Sequence, residues 1–178
     1  MNLSKLFKMQ RQLDLRIEQQ HPRQEGEDRL AKKVLALLVE LGELANEWRG
    51  FKFWSYDQKP RTKMHKTYSS VLGIEKNYSN PLLEEYVDCL HFILSIGLEL
   101  DIPEIYGTET KWDELRSVET DITQQFLLVF ENVNTLVHAI DWLNLFVDFY
   151  ILGEMLGFSW QEIEQAYMSK NAENHARQ

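Results

Sequence analysis

The stretch that follows Asn80-Pro81 constrains the fold more than any other part of the chain. Asn is a favoured N-cap and Pro a favoured first helical residue, so the sequence predicts a helix from here to about Leu100, before Asp101-Ile102-Pro103. Apolar residues cover almost its whole circumference. A helix that is apolar on every side is buried among other elements. We therefore expect this helix to lie in the interior of the protein.

Apolar residues recur at helical spacing along most of the rest of the chain. The other predicted helices run from Leu3 to near His21-Pro22, from about Asp28 to Arg49 with a stop at Gly50, from Thr120 to Gly157 with a break at 131–134, and from Ser159 to about Ala176. The last of these opens on capping-box spacing, with Ser and Glu three residues apart.

Residues 51–80 contain Pro60, Gly73 and many polar residues, and we interpret them as a long, largely irregular connection. The sequence has no convincing run of strands. It therefore predicts a single all-α domain over residues 1–178, a helical bundle of about five to six main helices.

Composition excludes several classes of protein. The formal net charge of −9 disfavours a general nucleic-acid binder. One cysteine, Cys89, excludes a disulfide framework and a cysteine-based zinc site, and it suits a reducing cytoplasm. No stretch approaches the roughly 18 apolar residues that cross a bilayer, and the N-terminus lacks the pattern of a secretory signal. We expect a cytoplasmic protein without a membrane partner.

Basic residues are concentrated in one segment of this acidic chain. Between Arg49 and Lys66 there are six Lys or Arg and one acid, Asp57. A basic loop of this kind favours a small anionic ligand over a polyanion.

Two pairs of carboxylates lie on the apolar helices, Glu40 with Glu43 and Glu85 with Asp88. Residues three apart share one face of a helix. Neither 34–47 nor 81–100 contains Lys or Arg, and a buried carboxylate needs a partner or a metal ion. If the two helices pack with these faces together, four carboxylates surround one cavity. Oxygen ligands in that number suit Mg²⁺, with Mn²⁺ as a substitute.

Each of these features also has a purely structural interpretation. Glu-x-x-Glu on a helix is usually a solvated face, and a lone histidine such as His91 is more often a core residue than a ligand. Two acidic pairs on two apolar helices make the metal site a better hypothesis than either pair alone.

The final helix places hydrogen-bond donors on about a third of its circumference. These donors are Tyr167, Lys170, Asn171, Asn174 and Arg177. Such a face suits phosphate oxygens. Cations near a helix C-terminus also favour the helix macrodipole, but that does not explain the two asparagines.

The segment from Arg49 to Tyr56 combines cations with aromatic residues. Trp54 could stack on a nucleobase and Lys52 could approach a phosphate. Alternatively, Phe51, Phe53 and Trp54 anchor the loop to the core.

Taken in order, these motifs resemble those of the dimeric all-α dUTPases, within the wider MazG-like group of nucleotide pyrophosphohydrolases. The resemblance extends from residue 9 to 178 and is carried by the following motifs: Met9-Gln10-x-x-Leu13-Asp14, Glu40-x-x-Glu43, Glu85-x-x-Asp88-x-x-His91 and Tyr167-x-x-Lys170-Asn171-x-x-Asn174-x-x-Arg177-Gln178. Some members of the family have an amide at the position of Asp14, and residues 58–79 have no counterpart that we align.

The resemblance implies that the chain cleaves dUTP, and dUDP as well, to dUMP. It implies that Glu40, Glu43, Glu85 and Asp88 coordinate Mg²⁺ and that a glutamate of the first pair acts on the attacking water. It also implies that substrate-binding residues surround the nucleotide: Gln10, Asp14, Trp54 and His91 at the uracil and deoxyribose, and Tyr167, Lys170, Asn171, Asn174 and Arg177 at the phosphates.

Three other functions stay open at this point. A MazG-like pyrophosphohydrolase would act on other or several nucleotides. A ferritin-like di-iron protein normally uses two Glu-x-x-His pairs, whereas this chain has only Asp88-x-x-His91. A non-catalytic helical interaction module would leave its acids solvated.

The apolar segment 121–157 suggests a homodimer. Its aromatic and aliphatic residues offer more hydrophobic surface than one small bundle needs. The residues concerned are Phe126, Leu127, Phe130, Trp142, Phe146, Phe149 and Tyr150.

Overall fold

The computed structural model describes residues 3–70, 73–102, 121–136 and 138–177. Over these ranges the chain forms six helices and one two-stranded sheet. The elements in chain order are α1 Leu3–Gln20, α2 Arg29–Trp48, β1 Met64–Ser70, β2 Gly73–Ser79, α3 Pro81–Glu99, α4 Ile122–Asn134, α5 Ala139–Met155 and α6 Trp160–Arg177. The predicted all-α fold class is confirmed.

Helix α3 is the centre of the bundle, as its apolar circumference predicts. It packs against α1, α2, α5 and α6. Tyr86 stacks on Phe149 at 4.2 Å between ring centroids, and its hydroxyl donates to the Phe149 carbonyl at 3.0 Å. At the next turns of α3, the indole N–H of Trp142 donates to the carbonyl of Ile93 at 2.8 Å. These bonds fix α3 along its length, so the side chains it presents have defined positions.

The predicted helix starts are confirmed by their caps. The Asp28 carboxylate accepts from the Ala31 N–H at 2.9 Å, and the Asn80 side chain accepts from the Leu83 N–H at 3.2 Å. Ser159 and Glu162 form the reciprocal capping box at the start of α6. Each cap satisfies a backbone N–H that the first turn of a helix leaves without a partner.

One predicted helix end is confirmed to within one residue, and one predicted helix break is wrong. Helix α2 ends at Trp48 with Arg49 as its C-cap, and Arg49 takes the left-handed conformation with φ 67°. Its buried guanidinium donates to the carbonyl of Asp57 at 2.7 Å, which offsets the strain of that conformation. Helix α4 continues through 131–134, and the break before α5 comes after Asn134.

The prediction that residues 51–80 are largely irregular is wrong over their second half. Strands β1 and β2 pair antiparallel, from Met64 opposite Ser79 to Ser70 opposite Gly73. Polar residues are interspersed throughout both strands, so the sequence has little of the apolar alternation that identifies a half-buried strand. The hairpin is formed by backbone hydrogen bonds between the two strands, which do not require an apolar side-chain pattern.

The premise of the homodimer prediction does not hold as stated. Phe126, Trp142, Phe146 and Phe149 are buried in the core of their own chain, whereas the Leu127 side chain is 56% exposed. The apolar richness of 121–157 is therefore mostly explained by the bundle itself. Among the described residues, no helix combines the length and the apolar character needed to cross a membrane.

Candidate active site

Helices α2 and α3 pack antiparallel, with one polar stripe of each facing the other. At one end, Lys33 of α2 donates to the Glu99 carboxylate of α3 at 2.7 Å. At the other end, Glu40 of α2 lies close enough to Asp88 of α3 for their charges to interact. Lys33 and Glu40 are seven residues apart and so share one face of α2. The predicted facing of the two acidic pairs follows from this arrangement.

Three of the four predicted carboxylates form one cluster. Glu40, Glu43 and Glu85 each bring an oxygen within 4.8 Å of the others. In the described part of the chain, none of the three forms an ion pair. Burial, followed by the charges of Asp88, Glu43 and Glu40, raises the pKa of Glu85 to about 7. Burial and the charges of Asp88 and Glu43 also raise the pKa of Glu40. Three hard oxygen ligands whose charges lack a partner fit a divalent cation such as Mg²⁺.

Residues 34–47 and 81–100 contain no Lys or Arg, but Asp88 has a basic partner from another helix. The Lys170 ammonium, from α6, forms a short ion pair with the Asp88 carboxylate. Burial still raises the pKa of Asp88, although Lys170 opposes the shift. The counter-ion of Asp88 comes from a third helix, so the composition of the two acidic helices did not reveal it.

A cavity of about 960 Å³ opens beside the cluster. Glu40 belongs both to the cluster and to the cavity wall. The structure places eight of the predicted site residues on that wall: Gln10, Asp14, Glu40, Asp88, His91, Lys170, Asn174 and Arg177. Gln10 and Arg177 are 167 positions apart in the sequence and still line the same chamber. The acids of α2 and α3 lie at the same end of the chamber as the cations of α6.

At the other end of the chamber, a buried amide joins three helices. The Gln10 side-chain oxygen accepts from the Tyr167 hydroxyl at 2.7 Å and lies 2.8 Å from Nδ1 of His91. The His91 and Tyr167 rings stack at 4.1 Å. Burial lowers the pKa of His91 to about 3, so the imidazole is neutral at physiological pH. The purely structural interpretation of His91 as a core residue is therefore incomplete, because the ring belongs to a polar hydrogen-bond network at the cavity wall.

Two residues that the sequence analysis did not select complete this network. The Ser95 hydroxyl donates to Asp14 at 2.6 Å, and the Lys33 ammonium lies 3.4 Å from the same carboxylate oxygen. Ser95 was detectable, since it lies four residues after His91 on the polar stripe that begins at Glu85. Lys33 gave no signal of its own, because a lysine in the first turns of a helix is usually a solvated residue.

Comparison with known proteins identifies the family. A family model described as dUTPase matches residues 2–74 and 73–178. The chain belongs to the all-α dUTPase family. No curated protein matches the chain in a sequence search. Family membership implies dUTP diphosphatase activity, and the family generally uses a divalent metal ion. The acidic cluster of this dUTPase has the ligand chemistry that such an ion requires.

Besides Glu43 and Glu85 of the acidic cluster, three predicted site residues lie outside the cavity wall. Tyr167 and Asn171 are buried behind it, and the Asn171 amide nitrogen has no hydrogen-bond partner among the described residues. Trp54 is 65% exposed, and its ring packs edge-on against Phe51 and Phe53.

The basic segment that follows α2 does not line the cavity either. Lys52 donates to the side chain of Asn46, Arg61 pairs with Glu47 at 3.0 Å, and the Lys63 ammonium lies over the Tyr78 ring. The cations that line the cavity come from α6, from the start of α2 and, with Arg23, from the connection before α2.

Proposed function

We propose that this protein hydrolyses dUTP, and also dUDP, to dUMP with Mg²⁺ as its cofactor, releasing pyrophosphate from the triphosphate. The single observation that carries the proposal is the cluster of Glu40, Glu43 and Glu85 at the end of a nucleotide-sized cavity. Phosphoryl transfer depends mainly on positioning and charge neutralisation. The acidic cluster and the α6 residues Lys170, Asn174 and Arg177 would serve these two tasks.

The metal ligands in this proposal are Glu40, Glu43, Glu85 and Asp88. When bound, Mg²⁺ would supply charge neutralisation at the phosphates and a lowered pKa of water, and Mn²⁺ has similar ligand preferences. Glu43 is the most exposed of the three clustered carboxylates, which suits it to accept the proton of the attacking water. Glu40, in contact with the cavity, would orient that water.

The phosphates in this proposal bind to the α6 face that contains Lys170, Asn174 and Arg177. All three line the cavity, and they are four and three residues apart, so they share one side of the helix. Lys170 is the counter-ion of Asp88 before substrate enters. The Lys170 ammonium would be available to a phosphate oxygen in place of the Asp88 carboxylate. Asn171 is buried behind this face, and its contact with a phosphate stays a prediction.

The nucleoside in this proposal binds at the end formed by Gln10, Asp14 and His91, with Tyr167 behind them. A merely apolar pocket separates uracil from thymine by only roughly 1–3 kcal/mol, so close packing at the methyl position must supply the selectivity. Trp54 as a residue that stacks on the base stays a prediction.

The proposal is tested by Glu43→Gln, which keeps the size of the side chain and removes its charge. We expect pyrophosphate release to fall by at least roughly 100-fold, because both metal binding and proton acceptance are lost. Circular dichroism should be unchanged, since Glu43 is exposed. Glu131→Gln, an exposed glutamate on α4, is the matched control and should keep full activity. Full activity of Glu43→Gln would remove the proposed metal site.

Substrate range is tested by comparing dUTP, dCTP, dTTP and UTP at equal concentrations, with dUDP in a parallel assay. We expect dUTP to react fastest and UTP and dTTP to be poor substrates. Similar rates on all four triphosphates would indicate the MazG-like alternative of broad specificity while leaving the metal chemistry in place.

We also propose that the active form is a cytoplasmic homodimer of single-domain chains. Leu127 and Ile140, on α4 and α5, remain more than half exposed and are the apolar residues of 121–157 available to a partner copy. Light scattering that gives a monomeric mass would contradict the dimer.

A further inference from the structure

The side-chain amide of Gln10 is held in one orientation. It is buried, with its oxygen within hydrogen-bond distance of both Tyr167 and His91. Its nitrogen donates to Asp14 at 2.7 Å. The two ends of an amide have opposite hydrogen-bonding character, so exchanging them would set the Gln10 oxygen against the Asp14 carboxylate and would require Tyr167 and His91 to accept instead of donate.

Asp14 decides which end of that amide faces it. An ionised carboxylate only accepts hydrogen bonds, so it must face the Gln10 nitrogen and not the oxygen. Asparagine at this position would present either a donor or an acceptor. With aspartate at position 14, the Gln10 nitrogen must donate to Asp14, and the Gln10 oxygen must therefore face Tyr167 and His91.

Lys33 and Ser95 hold the Asp14 carboxylate in place as a hydrogen-bond acceptor. The Ser95 hydroxyl donates to the same carboxylate oxygen that lies beside the Lys33 ammonium. Lys33 is itself fixed by Glu99 at 2.7 Å, a carboxyl that also pairs with Arg23. Burial raises the pKa of Glu99, but the hydrogen bonds from Lys33 and Arg23 outweigh it and lower that pKa overall. The positive charge beside Asp14 therefore has its own anchor.

The consequence of this order appears on His91. Because the Gln10 oxygen can only accept, Nδ1 of His91 must be the nitrogen that bears the hydrogen. The other ring nitrogen, Nε2, is then a bare acceptor, and it is buried without a hydrogen-bond partner among the described residues. His91 is only 6% exposed, and it lies on the wall of the cavity. A buried acceptor left unpaired is costly unless a ligand completes it.

We propose that Asp14, held by Lys33 and Ser95, is a specificity-determining positioning residue that fixes through Gln10 the Nδ1–H tautomer of His91, so that Nε2 accepts a hydrogen bond from the nucleoside. The donor is an N–H or O–H group, either the imide N–H of the base or the 3′-hydroxyl of the sugar. An unprotonated ring nitrogen at the position of that N–H, as in cytosine, would meet the bare nitrogen lone pair to lone pair. This proposal rests on the proposed function for the identity of the ligand, but the tautomer does not depend on it.

The tautomer is measured by ¹⁵N NMR of the ring nitrogens in histidine-labelled protein, with His91 assigned by the signals that His91→Gln removes. In the wild type we expect Nδ1 to resonate as a protonated nitrogen and Nε2 as a bare one. Asp14→Asn should give a mixture of the two tautomers, because an amide at this position permits both directions of the network. Asp121→Asn, which exchanges one good N-cap of α4 for another, is the matched control and should leave His91 unchanged. A wild-type His91 protonated at Nε2 would overturn the proposal.

The ligand contact is measured on the same signals by titration with dUMP, its N3-methyl derivative and its 3′-deoxy derivative, with saturation confirmed by calorimetry. Saturating dUMP should shift the Nε2 resonance strongly. Loss of that shift with the N3-methyl compound assigns the donor to the base, and loss with the 3′-deoxy compound assigns it to the sugar. An unchanged Nε2 signal at saturation with dUMP would overturn the contact.

Kinetics separate positioning from a merely structural role. Ser95→Ala and Lys33→Met should each raise KM for dUTP by roughly fivefold to tenfold with kcat nearly unchanged, because they weaken a ground-state contact. Lys33→Arg keeps the charge and should restore most of the loss. Lys5→Met removes a different lysine–carboxylate pair, with Glu164, and should leave KM unchanged. Unchanged KM in Ser95→Ala and Lys33→Met, with only a lower melting temperature, would contradict the positioning role.

Failure of this proposal and failure of the proposed function are distinguishable. If the protein hydrolyses dUTP but His91 is protonated at Nε2, only the tautomer proposal falls. If no nucleotide is hydrolysed or bound while His91 has the Nδ1–H tautomer that Asp14→Asn disturbs, the network holds and the proposed function falls.

Discussion

The polar side chains at the two ends of the cavity differ in whether other side chains of the described structure satisfy them. At one end, Glu40, Glu43 and Glu85 crowd together without an ion pair among the described residues, and burial raises the pKa of two of them. At the other end, Gln10 and Asp14 are satisfied by neighbouring side chains. The first end has the ligand chemistry of a cation site. The second is organised before any ligand arrives, apart from one ring nitrogen of His91.

This difference matches the two tasks that a nucleotide hydrolase must combine. Unsatisfied carboxylates give affinity for a metal ion, at the expense of stability when the ion is absent. A satisfied hydrogen-bond network cannot rearrange to suit a wrong base or sugar, so it gives selectivity. The predictions below test whether the two ends behave in these different ways.

The largest effect is expected at the acidic end. Glu40→Gln should lower kcat/KM for dUTP by at least roughly 100-fold, because Glu40 belongs to both the cluster and the cavity wall. Calorimetry should show weaker Mg²⁺ binding in the same variant, whereas the ¹⁵N signals of His91 should not change. A change in the His91 signals would show that the acidic cluster and the Gln10 network are coupled, and would contradict their independence.

Lys170→Met should raise KM for dUTP by about tenfold, since a charged contact to phosphate is lost. Mg²⁺ binding without nucleotide should not weaken, because the variant removes a competing cation from Asp88. Steady-state kinetics and Mg²⁺ calorimetry on the same preparation check both statements, with Lys5→Met as the control. Weaker Mg²⁺ binding together with unchanged KM would show that Lys170 only holds the site together.

Trp54→Ala should raise KM by roughly twofold to tenfold, the range of one aromatic contact, if the exposed loop closes over the base. Phe53→Ala is the matched control, because Phe53 lies beside it and is also exposed. Steady-state kinetics with dUTP distinguish the two variants. Equal KM in both would assign the aromatic residues to a surface that has no part in substrate binding.

The smallest effect is on stability and concerns Glu85, whose pKa is raised to about 7 by burial and then by its acidic neighbours. A carboxyl with a higher pKa in the folded than in the unfolded chain binds its proton more tightly when folded. Stability of the metal-free protein therefore decreases as pH rises from the unfolded pKa towards and through about 7.

We expect the melting temperature of metal-free protein to fall by on the order of 2–5 °C across that pH window, and Mg²⁺ to restore most of it at the upper end. Glu85→Gln should flatten the dependence, and Glu131→Gln should not. Thermal unfolding followed by circular dichroism in EDTA and in Mg²⁺ measures both. A melting temperature that rises with pH in EDTA would contradict the crowding of charge at this end.

Local sequence patterns were enough to predict the features that depend on neighbouring residues. Caps at Asp28, Asn80 and Ser159 and the apolar circumference of α3 predicted the main helices, because capping and periodicity act within a few residues. Spacing of three along a helix predicted that each acidic pair shares a face. The polar stripe of α3 was also readable as far as Ser95, four residues beyond His91.

Only the tertiary structure decided which helix supplies each partner. Lys170 is paired with Asp88 across 82 positions, and Lys33 reaches Glu99 across 66. The register of two packed helices depends on the fit of all the side chains between them, which no local pattern contains. The hairpin of β1 and β2 escaped prediction for a related reason, since its backbone pairing needs no apolar alternation. The acids therefore predicted a metal site from sequence alone, whereas packing decided which of them lie together without an ion pair among the described residues.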